Sequence, residues 1–132
     1  MMFNTGELSP EQIEAMLSAL PGEITFIDEN DIVTWFTDRP NLIFKRELSI
    51  IGTDVRQCHS ESSFDVVNQL LEEMKSGKRD VAEFRHKDSQ DRMILTRYYA
   101  VRAIGNQYLG CLEYVEDITR LQTLSGEKRT LD

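Results

Sequence analysis

Little in this chain points to staples, metals or membranes. Among its 132 residues there are two cysteines, Cys58 and Cys111, far apart and in no CxxC or other metal-type spacing. They read as free thiols in a reducing compartment. No run approaches the ~20 consecutive apolar residues needed to cross a bilayer. No basic-then-apolar leader opens the chain, which places the expected domain in the cytoplasm. Positive charge is in deficit, with 15 Lys and Arg against 23 Asp and Glu, a net charge of −8. That balance disfavours nucleic acid and anionic membrane surfaces as partners. The signatures HExxH, GxSxG and GxGxxG are missing, and the Gly126-Glu127-Lys128 of the tail lacks the upstream glycine and preceding strand of a phosphate loop. There is no internal repeat and no low-complexity segment.

What is present fits one domain. A chain of this size buries roughly two-thirds of its unfolded surface, enough for a core without staples. Residues 1–8 read as a flexible lead-in. Ser9-Pro10-Glu11-Gln12 is a helix start: Ser9 caps, Pro10 suits the first helical position and Gln12 completes a capping box. Ile13, Met16, Leu17 and Leu20 then form an apolar stripe, ended by Pro21-Gly22. This helix either packs on its own sheet or serves as a dimerisation or linker helix. Residues 23–28 and 32–37 form a hairpin around the turn chemistry of Glu29-Asn30-Asp31. Residues 38–60 are expected to cross one sheet face as loops and short helices, including a helical turn over 41–47, a buried anchor at Ile50-Ile51 and a turn at Gly52.

Ser62-x-x-Asp65 has the form of a second capping box. Phe64, Val67, Leu71 and Met74, widened by Val66 and Leu70, define the main helix over 63–76, with Lys75 and Gly77 as its C-terminal signals. After Gly77 the period changes to two. Strands are expected over 80–86, 92–103 and 108–116, joined by turns at Asp88–Asp91 and Gly105-Asn106, with Asp117-Ile118-Thr119 stopping the last. In the last, Leu109, Cys111, Glu113 and Val115 share one face, and Tyr108, Leu112, Tyr114 and Glu116 the other. A five-stranded antiparallel sheet with helices on one face, an α+β architecture with an N-terminal flanking helix, buries these stripes together. The final strand should lie centrally, beside the first.

Several pieces together resemble a PAS domain over residues 23–119. They are Ile24–Phe36 with its DEND turn, Ile51-Gly52, the Phe64–Lys78 helix ending in SGK, the segment GNQYLG at 105–110, and Asp117-Ile118-Thr119. Residues 1–22 are then a flanking helix and 120–132 a tail. GKRDVAEF, RYYAVR, YLGCLEYVEDIT and GEKRTLD resemble more narrowly the C-terminal PAS module of bacterial proteins that carry a hemerythrin-like domain upstream. The resemblance implies a non-enzymatic sensory or interaction module, dimeric, binding an unidentified small molecule or partner. It implies further that Asp117 and Thr119 couple the sheet to a flanking element, Asp117 as an anchor for a nearby cation and Thr119 as a cap for a following helix. On this reading the chain is a C-terminal fragment without the di-iron site.

The site candidates are His59, Glu83, Arg97, Tyr99 and Glu113. The light-sensing PAS motif Asn-Cys-Arg-Phe-Leu is not matched by Asp54–Ser60, so the flavin adduct is not carried over despite Cys58. His59 is a candidate haem ligand, the basis of an alternative reading as a haem-based gas or redox sensor. Haem-binding members carry that ligand within the helix, where this chain has Phe64, Val67, Asn68 and Leu71. His86 reads as solvated. Glu83, Arg97, Tyr99 and Glu113 line either a polar ligand pocket or an exposed cross-strand ladder. Trp35 and Tyr98 mark a partner surface or cover core. A third reading is a small α+β enzyme with Glu113 or Glu83 as general base.

Overall fold

The computed structural model describes all 132 residues. A two-residue ladder opens the chain, β1 (Met2–Phe3) with β2 (Gly6–Glu7), where a flexible lead-in was expected. It is closed by the Met1 amine on the Leu8 carbonyl at 2.7 Å and the Leu8 N–H on the Met1 carbonyl at 3.0 Å. Helix α1 (Pro10–Ala19) starts on the expected capping box, Ser9 and Gln12 each accepting the other's backbone N–H. The helix buries none of its residues. Ile13 and Leu17 are half-buried, while Met16 and Leu20 are exposed. Just past its end, the carbonyls of the C-cap Leu20 and of Pro21 accept from the Arg39 guanidinium, which places a cation near the helix C-terminus.

Strands β3 (Glu23–Asp28) and β4 (Val33–Phe36) form the hairpin. Three 3₁₀ turns, Leu48–Ile50, Val55–Cys58 and Glu61–Ser63, then lead to α2 (Phe64–Lys75). Residues 41–47 are irregular, not the helical turn expected; Asn41 takes φ +65°, which breaks any run of helical dihedrals. The anchor expected at Ile50-Ile51 is only half made, since Ile51 is exposed. The second capping box does not form either. Ser62 lies within a 3₁₀ turn that runs directly into α2, so no side chain caps the helix. Its C-terminus is as expected: Gly77 has φ +83°, and the Lys78 N–H reaches the Glu73 carbonyl at 2.9 Å in a Schellman arrangement. Val67, Leu70, Leu71 and Met74 face the sheet, while Val66 is turned to solvent.

Strands β5 (Val81–Lys87), β6 (Met93–Arg102) and β7 (Tyr108–Asp117) complete a five-stranded antiparallel sheet of order β4-β3-β7-β6-β5. The last strand is central and beside the first of this sheet, as the sequence indicates. Register places Thr25 opposite Glu113, Glu113 opposite Tyr98, and Tyr98 opposite Ala82. Directly opposed residues share a face. The inner face therefore carries Thr25, Ile27, Cys111, Glu113, Val115, Thr96, Tyr98, Ala82 and Phe84 under α2. The outer face carries Phe26, Leu112, Tyr114, Arg97 and Tyr99. Ile27, Val33, Val55, Val67, Leu70, Leu71, Met74 and Cys111 form the core.

Two strand pairs depart from simple alternation. In the β3–β4 hairpin the register shifts between Phe26 and Ile27, skipping Thr34. The β6–β7 register shifts between Val101 and Arg102, skipping Leu109. This bulge turns the Tyr108 ring onto the core and leaves Leu109 exposed, the reverse of the expected faces.

Candidate functional site

The inner face is not filled throughout. Across β3, β7, β6 and β5 a cavity of about 670 Å³ opens between the sheet and residues 44–63. Thr25, Ile27, Thr96, Tyr98, Glu113 and Val115 form its floor. Phe84 and His86 close one side; Phe44, Arg46, Ile50, Val55, Cys58 and His59 form the roof. The roof is spaced from the floor because residues 38–47 make no regular element that could pack flat on the strands.

Two sheet carboxylates hold that roof down. Glu23, buried on β3, accepts the backbone N–H groups of Ile43 and Phe44, the latter at 3.0 Å. Glu113 on β7 accepts the Arg46 guanidinium at 2.8 Å on one oxygen and the Tyr98 hydroxyl at 2.7 Å on the other. The Glu113 side chain is 8% exposed and that of Arg46 20%. Arg46 also donates to its own loop's Phe44 carbonyl at 3.2 Å and lies over the Phe44 ring, 5.7 Å from the centroid. Tyr98 sits edge-on to Phe84, ring centroids 6.0 Å apart. Burial, reinforced by the neighbouring Glu113 carboxylate, pushes the Tyr98 phenol far above its ordinary value, so it stays a donor. The hydroxyls of Thr25 and Thr96 and the imidazoles of His59 and His86 have no protein hydrogen-bond partner.

The four polar strand candidates separate. Glu113 is buried in the cavity floor. Glu83 points outward and is exposed, 3.9 Å from Arg85. Arg97 and Tyr99 lie on the outer face, where Arg97 binds Glu116 at 2.6 Å and stacks over Tyr114. Arg97 and Tyr99 are therefore corrected: the strand registers put them on the face away from α2. Glu83 lies outside this cavity and lines a smaller one of about 260 Å³ between β5 and α2, with Val66, Gln69, Leu70 and Arg79. His59 does line the cavity. His86, expected in solvent, is exposed but also forms part of the wall. Tyr98 is an inner-face hydrogen-bond donor, not a partner-surface marker. Its face was legible from Ile94 and Thr96 at the strand period. Arg46 was not, because an irregular loop has no period that would aim a side chain.

Both thiols are held toward the neutral form. Burial raises the Cys58 thiol despite the opposing effect of Arg46, and pushes buried Cys111 up to about 12. Beside the cavity, Asp31 in the β3–β4 turn binds Arg56 at 3.3 Å and Lys75 at 2.8 Å, fastening the hairpin to the roof and to α2.

At the end of β7 the exit motif closes on itself. The Asp117 carboxylate accepts the Thr119 hydroxyl at 2.6 Å and the Thr119 N–H at 3.0 Å. The Thr119 oxygen accepts the Met93 N–H at 2.9 Å, and the Ile118 N–H reaches the Met93 carbonyl at 2.9 Å. Asp117 thus makes no ion pair, and Thr119 caps no helix: the short 3₁₀ turn Leu121–Thr123 starts at Arg120 without a side-chain cap. The motif staples the exit of β7 to the start of β6.

No curated protein matches the sequence. Solved structures do. A C-terminal domain from Streptococcus mutans is similar with 33% identity and a TM-score of 0.87, covering 95% of this chain and 96% of that one. A PAS domain from Colwellia psychrerythraea is 14% identical with a TM-score of 0.60, covering 83% and 97%. The PAS domain of BvgS from Bordetella pertussis is 12% identical with a TM-score of 0.63, covering 83% and 85%. A family model described as PAS domain matches residues 13–119, most of the chain and all five strands of the large sheet. This chain belongs to the PAS domain family.

Proposed function

We propose that this chain is a non-enzymatic sensory module that holds a small molecule in the cavity over Glu113 and passes its state to an adjoining domain. The observation that carries this reading is the buried Glu113 carboxylate in the floor of an open cavity, with the Thr25 and Thr96 hydroxyls and the His59 and His86 imidazoles also on its lining. A few convergent polar groups in a partly apolar pocket suit ligand recognition. Both Glu113 oxygens already accept a hydrogen bond, which suits holding a ligand better than moving a proton. The wider kinship supports the sensory role, since PAS domains of sensor histidine kinases share the fold.

Two exits suit the relay. Asp117–Thr119 ties β7, which carries Glu113, to the start of β6. Helix α1 joins β3 through Pro21-Gly22, where the Gly22 N–H donates to the Tyr114 hydroxyl at 3.1 Å. The exposed stripe of α1 and the half-covered outer face suit a second copy, giving a homodimer. An adjoining domain upstream of α1 would match the hemerythrin-bearing group that the sequence resembles, and the Streptococcus mutans relative is itself described as a C-terminal domain.

Haem held by His59 fits less well. A macrocycle needs a largely apolar slot, and here the floor and roof are bridged by the Arg46–Glu113–Tyr98 array. Purified protein should accordingly show no intense visible absorption band; one that is lost in His59→Ala would reinstate the haem reading. Native mass spectrometry of freshly purified protein tests the main proposal. It should report a dimer carrying a small-molecule mass, and Thr96→Trp, which fills the cavity, should remove that mass. Retention of the same mass by Thr96→Trp would overturn the assignment of the cavity.

A further inference from the structure

We infer that the ligand of this cavity is a small organic cation, an amidine, guanidine or amine on a flat apolar body, which takes the place of Arg46 at Glu113. The inference rests on the reading of the cavity as a ligand site and names its ligand class. Arg46 is the chain's own stand-in for such a molecule. Its guanidinium meets Glu113 through one nitrogen only, at 2.8 Å, and lies against the Phe44 ring. It arrives on an irregular loop, whereas the other donor to Glu113, Tyr98, is fixed on a central strand. One half of the carboxylate's environment is therefore rigid and the other exchangeable.

The desolvation balance chooses between ligand charges. A cation that displaces Arg46 keeps the buried Glu113 carboxylate paired and returns the arginine to water, where it is fully solvated. An anion that captures Arg46 would leave Glu113, with its side chain 8% exposed, without a counter-charge. Stranding a buried charge in that way is strongly unfavourable, because nothing replaces the counter-charge or the water it has lost. A neutral molecule that displaces Arg46 keeps one hydrogen bond to Glu113 but leaves the buried carboxylate without a counter-charge. The walls agree with this choice. Phe44, Phe84 and Tyr98 offer aromatic surface to a flat body and, for the first, to its charge. The two other charged lining groups, Lys45 and Glu47, lie 3.9 Å from one another and face solvent, so they add no net field.

Displacement also gives the ligand a mechanical effect. Residues 38–47 are held to the sheet by the Glu23 bonds to Ile43 and Phe44 and by Arg46 on Glu113. Replacing the second fastening by a free ligand leaves the loop on the first alone. Occupancy is thereby converted into loosening of the roof.

The experiment compares benzamidine, benzyl alcohol and benzoate, three probes of similar size and different charge, by isothermal titration and by backbone amide shifts of the full chain. Benzamidine should bind, shift the amides around Thr25, Thr96 and residues 43–47, and lose about tenfold or more in affinity in Glu113→Gln. Arg46→Ala removes the internal competitor and should tighten benzamidine binding severalfold. Should Glu113→Gln fail to fold, Arg46→Ala still decides the matter, because a merely structural Arg46 would weaken binding when removed. Preferential binding of benzoate or benzyl alcohol at the same amides would overturn the cation class and leave the cavity as the ligand site. Binding of none of the three would overturn both.

Discussion

The two faces of the sheet carry almost the same chemistry to different ends. Each has an arginine on a glutamate with an aromatic ring beside it: Arg46, Glu113 and Phe44 inside, Arg97, Glu116 and Tyr114 outside. The outer pair is the shorter, 2.6 Å against 2.8 Å. Distance is thus a poor guide to consequence. The outer partners belong to adjacent strands, β6 and β7, whose backbones are already joined, so their pairing adds order to what is ordered. The inner partners belong to a strand and an irregular loop 67 residues apart, so their pairing decides where the loop lies.

Breaking the inner face at its apolar centre should have the largest effect. Met74 is fully buried between α2 and the sheet, and Met74→Ala should cost about 3–4 kcal/mol in chemical denaturation. Glu113→Ala should follow at about 1–2 kcal/mol, because it strands the Tyr98 hydroxyl on the cavity floor and releases the Arg46 loop. In hydrogen exchange it should also raise the rates of the Ile43 and Phe44 amides. Arg97→Ala, the outer counterpart, should cost about 1 kcal/mol or less, with no change at those amides. Equal losses for the Glu113 and Arg97 variants would erase the contrast between the faces. The smallest effect is one of pH. The Thr119 hydroxyl and N–H hold Asp117 below the ordinary carboxylate value. A group depressed in the folded state stabilises above its unfolded pKa, about 4, and that contribution is lost as pH falls through the lower folded value. Melting curves in that acid range should therefore fall less steeply for Thr119→Val than for the parent chain.

The fold was legible where one period dominated. The α2 stripe, the Gly77 stop and the alternation of β6 are local signals, and local signals suffice when a single face is buried. The central place of β7 followed from the need to bury every stripe in one sheet. Legibility failed at three kinds of place. Val66 belongs to the apolar stripe by composition, yet helix geometry turns it past the sheet edge. Leu109 and Tyr108 exchange faces through a bulge that Gly110, with φ +152°, alone announces, and strict alternation across that glycine misplaces both. Arg46 reaches its carboxylate across a loop, and nothing in sequence spacing pairs position 46 with position 113. Of the polar strand candidates, Glu113 alone proved to be in the cavity floor. Parity could separate it from Arg97 and Tyr99 only once the strand registers were known.

The latch made by Glu23 has a consequence for variation. It grips the backbone N–H groups of Ile43 and Phe44, which every residue but proline supplies. The side chains at 43, 44, 45 and 47 are accordingly free to change without unseating the segment, provided the carboxylate at position 23 and the Arg46 contact with Glu113 are kept. Main-chain anchorage thus leaves four of these five side chains open to substitution. New binding preferences can be grafted here by substitution alone, leaving the frame that presents them untouched.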